Sequence, residues 1–528
     1  MNHSHLLKLI VLNETLSKTL MTLLMILFCT FGLLSEIAVA QNKTLTNSTP
    51  IQPYLDQAIQ KMTEFSLENG MKFIILENHE APVVSFVTYV DVGGVDEPDG
   101  KTGLAHFLEH LAFKGTTLIG TKNYQIEKPL LERLDELDKK IQVFEEQGKP
   151  DEVSELKTKF DATEVLATRI VEQNELGRIV EQAGGVDLNA TTSTEATRYF
   201  YSFPANKLEL WMSLESERFL DPVWREFHKE KNVILEERRL RVDNSPIGQM
   251  LEKFIGTAYT LHPYRRPVIG YNQDIRNLTR KDIKDFFVTH YIPEKITIAI
   301  VGDVNPNSVK ELAKVYFGRY QSTLQPKGEL EINMEPKQEQ RKKVILKLKS
   351  QPWYLEGYHR PSINHPDDPV YNIIGRLLSD GRTSRLYKSL VEEQKLALTA
   401  KGFSGYPGNK YPNLMLFYVL TAPGQSVDKV ASALSKEINL LKTELVSKIE
   451  LERVKTQARA ELLRALDSNM GMAQKLLEYE VKTGSWRNLF KQIDALEAVT
   501  ANDVLRVSQT TFTPDNCTVG KLLPQDGY

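Results

Sequence analysis

Two stretches far apart in this 528-residue chain carry the same punctuation, and that repeat limits the available folds more than any other feature. Thr279-Arg-Lys-Asp282 matches Thr500-Ala-Asn-Asp503. In each, a Thr is followed three residues on by an Asp, which reads as a helix start whose side chains satisfy the first free N–H groups. Tyr291-Ile-Pro293 matches Phe512-Thr-Pro514 at the same offset of 221, and close by Ile300-Val-Gly302 is echoed by Thr518-Val-Gly520. The length already favours more than one domain, and the repeat makes them two related units in tandem. A polar, proline-bearing stretch at 325–340 reads as the linker, which places the units at 58–324 and 341–528.

The pattern inside the first unit sets the fold class. Residues 65–76 (with an Asn69-Gly70 turn), 83–92, 184–193, 198–203 and 296–302 read as strands. Alternation in such runs suits an antiparallel-rich sheet with one buried face. Residues 206–220 and 226–242 read as helices. The expectation is α+β, each unit a sheet packed with helices. Residues 124–176 interrupt the first unit. There 124–146 and 151–175 are rich in Leu, Glu, Lys and Asp and are separated by Gln147-Gly-Lys-Pro150, so they predict a helical hairpin, read as a solvated structural insertion.

Residues 1–40 are of another kind. Lys8 and Lys18 precede the apolar run from Met21 to Leu34, and Ala38-Val-Ala40 has the small-x-small form of a cleavage site. The run is short for a spanning helix, so a cleaved signal peptide is expected. It would deliver the protein to the periplasm or outside, and would anchor it to the membrane only if uncleaved. No arginine precedes Arg133, against a mitochondrial presequence, and Cys29 sits in no lipobox. Cleavage would leave Cys517 as the single cysteine, so no internal disulfide is expected and no cysteine serves as a metal ligand. A net charge of −3 without a basic block argues against a nucleic-acid partner.

The chemistry concentrates in Gly103-Leu-Ala-His106-Phe-Leu-Glu109-His110. On a helix His106 and His110 share one face, so two imidazoles can hold one metal ion. Glu109 can reach water at that ion without being a ligand, the arrangement of the inverted His-x-x-Glu-His metallopeptidase motif. A third ligand has to come from elsewhere. Glu230 and Glu237 lie two helical turns apart on one face, so one can bind the ion while the other orients an imidazole. An acidic helix of this kind also occurs simply as a solvated face.

Together these residues resemble the M16 metallopeptidases (pitrilysin, insulinase and mitochondrial processing peptidase), over essentially all of the chain after residue 40. The resemblance rests on 103–116, on Leu188-Asn-Ala-Thr-Thr-Ser193, on 230–237 and on 262–270. It implies a bacterial two-domain type in which His106, His110 and Glu237 hold zinc, Glu109 is the general base and Glu230 supports a histidine. The gap between His110 and Glu237 is longer than is usual in the family, and the hairpin accounts for the excess. A shift of 222 residues, one more than the offset of the two caps, sets Glu230 on Glu452 and Glu237 on Arg459, and no second His-x-x-Glu-His follows, so one zinc per chain is expected.

The resemblance also implies a substrate lying extended against a sheet edge, here at Asn189, Ala190 and Thr191, a segment that without the resemblance reads equally well as a core strand. The family's non-catalytic domain supplies an Arg and a Tyr near the zinc, but the matching positions here are Val391 and Leu398. A heterodimer with a paralogous chain that supplies both is therefore expected, with a homodimer as the competing picture. Residues 375–390, with Asp380-Gly381, resemble a segment that guides substrate in related subunits. The expected function is an exported zinc endopeptidase acting on unfolded peptides or short polypeptides, as the catalytic half of a dimeric chamber. The alternatives are a non-catalytic assembly or chaperone-like subunit and a processing peptidase dedicated to one client.

Overall fold

The computed structural model describes residues 58–321 and 332–525. The expected signal segment and the start of the expected linker lie outside the described residues. The chain divides into Met1–Gln60 and Lys61–Tyr528, and both sheets lie in the second.

Two sheets carry it. The first has six strands: β1 (Met62–Ser66), β2 (Lys72–Glu77), β3 (Val83–Val90), β4 (Val186–Thr192), β5 (Thr197–Pro204) and β6 (Ile296–Gly302). The second has β7 (Lys342–Leu348), β8 (Trp353–Arg360), β9 (Ala397–Tyr406), β10 (Asn413–Thr421) and β11 (Cys517–Pro524). Their orders are β1-β2-β6-β3-β5-β4 and β7-β11-β8-β10-β9. With β1 set aside, the two orders superimpose strand for strand, β2 on β7 and β4 on β9. Each sheet has one parallel pair, β2 with β6 and β7 with β11, among antiparallel neighbours. The fold is α+β and repeated, as expected.

The repeat is as literal as the sequence suggests, with one correction. Thr279 and Thr500 each cap a helix through a reciprocal pair with Asp282 and Asp503, and Tyr291 and Phe512 close those helices. Ile296 and Cys517 then open β6 and β11 at the same offset. Gly302 ends β6 whereas Gly520 sits inside β11, so the Val-Gly echo does not pair equivalent positions.

The expectation of one buried face fails at the centre of the first sheet. Every residue of β6 is buried, as is all of β3 but Val83. One face is covered by the unit's own helices, where Phe86 stacks on Trp211 with ring centroids 4.3 Å apart. The other is covered by the helix Asn469–Thr483, which belongs by sequence to the second unit. A strand covered on both faces reads as a continuous apolar run. The exchange is mutual, since the helix Pro246–Ala258 of the first unit lies on β7 and β11. Phe254 fits there because Gly357 has no side chain: a Cβ at Gly357 would come within 2.9 Å of its ring. Polar ties follow the exchange. Lys72 Nζ donates to Glu480 at 2.5 Å and Trp486 Nε1 to Glu64 at 2.7 Å.

The hairpin forms from helices Tyr124–Glu146 and Pro150–Thr168. The second ends earlier than the sequence suggests, and the chain returns through an isolated bridge from Val171 to Thr121 before helix Glu175–Gln182.

Candidate metal centre

Helix Leu104–Leu111 carries the motif, and its position is over-determined. Gly103 opens it at φ 92°, and a Cβ there would meet the Ile269 carbonyl oxygen at 2.8 Å. Gly270 is pressed as closely on Thr102. The 262–270 stretch thus abuts the start of the motif helix. Glu97 accepts from the N–H groups of Gly103 and Ala105 at 3.0 and 2.9 Å, occupying the positive end of the helix. Burial pushes its carboxyl up to about 8 against the pull of those two bonds. Leu104, Phe107, Leu108 and Leu111 fill the core below, so His106, Glu109 and His110 face outward together.

Helix Phe227–Arg238 packs alongside and brings in the third donor. Glu237 Oε2 stands 3.7 Å from His106 Nε2 and 3.6 Å from His110 Nε2. These are too long for hydrogen bonds. They suit three donors around one point, because donors about 2.0–2.2 Å from a tetrahedral zinc lie about 3.3–3.5 Å apart. One atom from each of the three lies within 4.8 Å of the others, and no other such His, Cys, Asp and Glu group occurs among the described residues. Burial, with help from His110 and Arg241, lowers His106 to about 3, which keeps the imidazole neutral as a ligand must be. The residues present fit a zinc ion.

Glu230 lies one layer further out. Its Oε2 is 3.4 Å from His110 Nδ1, and its Oε1 accepts from Lys114 Nζ at 2.5 Å. Burial opposes its ionisation, but the bonds from His110 and Lys114 outweigh it and hold Glu230 below the usual carboxylate range. Glu109 does not join the donor cluster. Its Oε2 accepts from Thr192 Oγ1 at 2.5 Å, and burial raises its pKa.

The β4 strand forms an edge of its sheet, paired only with β5. Asn189 and Thr191 are exposed, whereas the Ala190 side chain is buried in the core. Thr192, at the end of this strand, ties the edge to Glu109. In the second unit Glu452 is exposed on helix Lys448–Leu466, and Arg459 on the same helix pairs with Glu497. Val391 packs against the second core and Leu398 is half exposed. Gly381, in the 375–390 segment, has open space around it.

Sequence reasoning missed Glu97, Thr192, Lys114, Arg225 and Arg241. Glu97 had a local signal, an acidic residue just before the helix start. Arg225 had none, because its partners, Glu127 and the loop after the motif helix, lie far from it along the chain. It is buried and donates to Glu127 at 2.9 Å, Thr116 O at 2.6 Å and Ile119 O at 2.9 Å. It thereby ties the loop after the motif helix to the hairpin and to the start of the acidic helix.

Fold and donor set define a class of protein in which a helix-borne His/His/Glu centre is followed by a second sheet-and-helix repeat. The family described as "Insulinase (Peptidase family M16)" matches residues 72–137 and 165–271, and "Peptidase M16 inactive domain" matches 277–458. The unmatched 138–164 is the outer part of the hairpin. The chain is 30% identical over 491 residues to the zinc protease PqqE of Helicobacter pylori, covering 91% of this chain and 96% of that one. It is 23% identical over 482 residues to a probable mitochondrial-processing peptidase subunit beta of Schizosaccharomyces pombe, covering 87% and 90%. A crystal structure of a protease from Helicobacter pylori aligns with TM-score 0.75 at 26% identity, over 88% of this chain and 99% of that one. A Pseudomonas fluorescens structure described as a peptidase M16 inactive domain shares the fold, with TM-score 0.69 at 14% identity, over 88% and 98%. The chain belongs to the M16 family of peptidases.

Proposed function

We propose that this chain is an exported zinc endopeptidase that hydrolyses unfolded peptides or short polypeptides. The observation that carries the reading is the convergence of His106, His110 and Glu237 with Glu109 on the same helix turn. In this reading one zinc ion per chain is held by those three side chains. A zinc ion there supplies an acidified water and a positive charge beside the scissile carbonyl. Glu109 takes the proton from the attacking water and gives it to the leaving amine. Thr192 fixes one oxygen of Glu109 and leaves the other for that transfer. Glu230 holds the His110 ring through Nδ1, and Lys114 keeps Glu230 ionised. The free edge of β4 accepts substrate as an added strand, through the main chain at Asn189 and Thr191 with Ala190 anchoring the strand to the core.

Export rests on the sequence of residues 1–40. No helix among the described residues is long and apolar enough to cross a membrane. The dimeric chamber rests on the second unit, where Val391 and Leu398 offer neither guanidinium nor phenol. A paralogous chain carrying an Arg and a Tyr is the proposed second half.

The test is cleavage of a quenched, unstructured peptide by the chain lacking residues 1–40, beside its Glu109→Gln variant. The reading expects hydrolysis that the variant lacks, either from the chain alone or after the paralogous chain is added. A zinc-loaded chain that stays inactive with the paralog present contradicts it. Full activity without a partner removes the heterodimer requirement alone.

A further inference from the structure

A cavity of about 340 Å³ opens directly beside Glu109 and His110, and its far wall is built by the returning limb of the hairpin, Val171 to Glu175. That wall is fixed in place. Lys122 N donates to Ile170 O at 2.8 Å, Glu172 N donates to Gly120 O at 3.1 Å, and Gly120 N donates to Glu175 at 2.6 Å. Gln173 Nε2 reaches Glu226 at 2.9 Å. The hairpin, expected from sequence to be a structural insertion, thus ends as part of the wall beside the reacting groups.

The charges in this wall are nearly all spoken for. Lys114 is shared between Glu226 and Glu230, at 3.0 and 2.5 Å. Arg225 is consumed by Glu127 and backbone carbonyls. Glu175 accepts from Gly120 N, and Glu109 accepts from Thr192. Among the described residues Glu172 is the one carboxylate of the pocket with neither a hydrogen bond nor an ion pair. Phe113 lines the same cavity and offers an apolar surface for a methylene stem. The pocket is of the size that takes a ligand group.

We propose that this pocket receives the substrate side chain adjoining the scissile bond, and that Glu172 selects a long basic side chain, lysine or arginine. The inference rests on the peptidase reading and names its substrate class. A long aliphatic stem runs along Phe113 while its cationic head meets Glu172, at the mouth of a wall whose other carboxylates are already paired. An acidic side chain in the same place would face Glu172 and the Glu226 pair without a free cation to meet it.

The test uses three quenched peptides identical except for lysine, norleucine or glutamate at the position beside the cleaved bond. Their kcat/KM values are measured with the wild type, Glu172→Gln and Glu172→Lys. The lysine peptide should exceed the norleucine peptide by about tenfold in the wild type, the scale of one partly desolvated charge pair. That ratio should fall towards one in Glu172→Gln, and in Glu172→Lys the preference should turn to the glutamate peptide. An unchanged ratio in Glu172→Gln overturns the proposal. If no peptide is cleaved even with the paralogous chain present, the peptidase reading fails separately, and anisotropy with fluorescent forms of the three peptides reads the pocket directly. Tighter binding of the lysine peptide that is lost in Glu172→Gln supports the assignment, and equal binding of all three overturns it.

Discussion

Arg225 and Glu127 form an ion pair, Nε to Oε1 at 2.9 Å, in which neither side chain reaches solvent. Nη2 also donates to Glu127 Oε2 at 3.2 Å, and the other guanidinium N–H groups go to backbone carbonyls of the loop that follows the motif helix. Gly115 and Gly120 make room for this, since a Cβ at Gly120 would come within 2.7 Å of Arg225 Nη1. Arg225→Met should destabilise the chain by about 3–5 kcal/mol, because it leaves the buried Glu127 charge without a partner. Arg225→Met with Glu127→Leu should recover part of the loss. Thermal melting of the two variants checks both statements.

Glu230 touches the metal centre only through His110. Removing such an outer carboxylate typically costs about 10–100-fold in metal affinity. Glu230→Gln should therefore still bind zinc, but more weakly by that factor, as measured by competition with a chelating dye. A loss as complete as that in Glu237→Gln would instead make Glu230 a direct ligand.

Glu226 offers a pH signature. Burial opposes its ionisation, but bonds from Gln173, Lys229 and Lys114 outweigh it and bring its pKa to about 2 from an ordinary 4.5. A carboxylate lowered on folding contributes stability that is present above its ordinary value and disappears as pH falls through the folded value. Glu226→Gln should therefore lower the urea midpoint near neutrality and show a shallower decline between about pH 4.5 and pH 2. Parallel declines for wild type and variant would contradict the assignment.

The helix exchange predicts that the two units do not fold independently. Phe254 is fully buried, among Met250, Leu355 and Leu414. Phe254→Ala should cost about 3–5 kcal/mol, the usual range for a buried ring. The loss should appear as a single transition in which both sheets melt together, followed by hydrogen exchange in β6 and β11. Separate melting of the two sheets would refute the coupling.

Much of this was legible in the sequence because it is local. The Thr279 and Thr500 caps, the Asn69-Gly70 turn, β6 and the spacing of His106, Glu109 and His110 are each set by a few adjacent residues. Helix periodicity places Glu237 on a face with Glu230, and the family resemblance, not the spacing, singles out Glu237 as the ligand. What escaped was long-range. The burial of both faces of β3 and β6 depends on a helix far along the chain (Asn469–Thr483), which no alternation pattern discloses. Arg225 gathers partners from two distant segments, the loop after the motif helix and the hairpin, and the role of Val171–Glu175 depends on where the hairpin returns, not on its composition. Helix Leu104–Leu111 could be read as a metal helix, but not that Glu97 and Gly270 hold it in place.

The central claim is that His106, His110 and Glu237 form one zinc site served by Glu109. Zinc content by mass spectrometry of the purified wild type, Glu109→Gln and Glu237→Gln tests it most directly. The account predicts one zinc per chain in the wild type and in Glu109→Gln, and almost none in Glu237→Gln, with all three equally folded by circular dichroism. Zinc retained in full by Glu237→Gln, or lost from Glu109→Gln, would contradict the assignment of these residues.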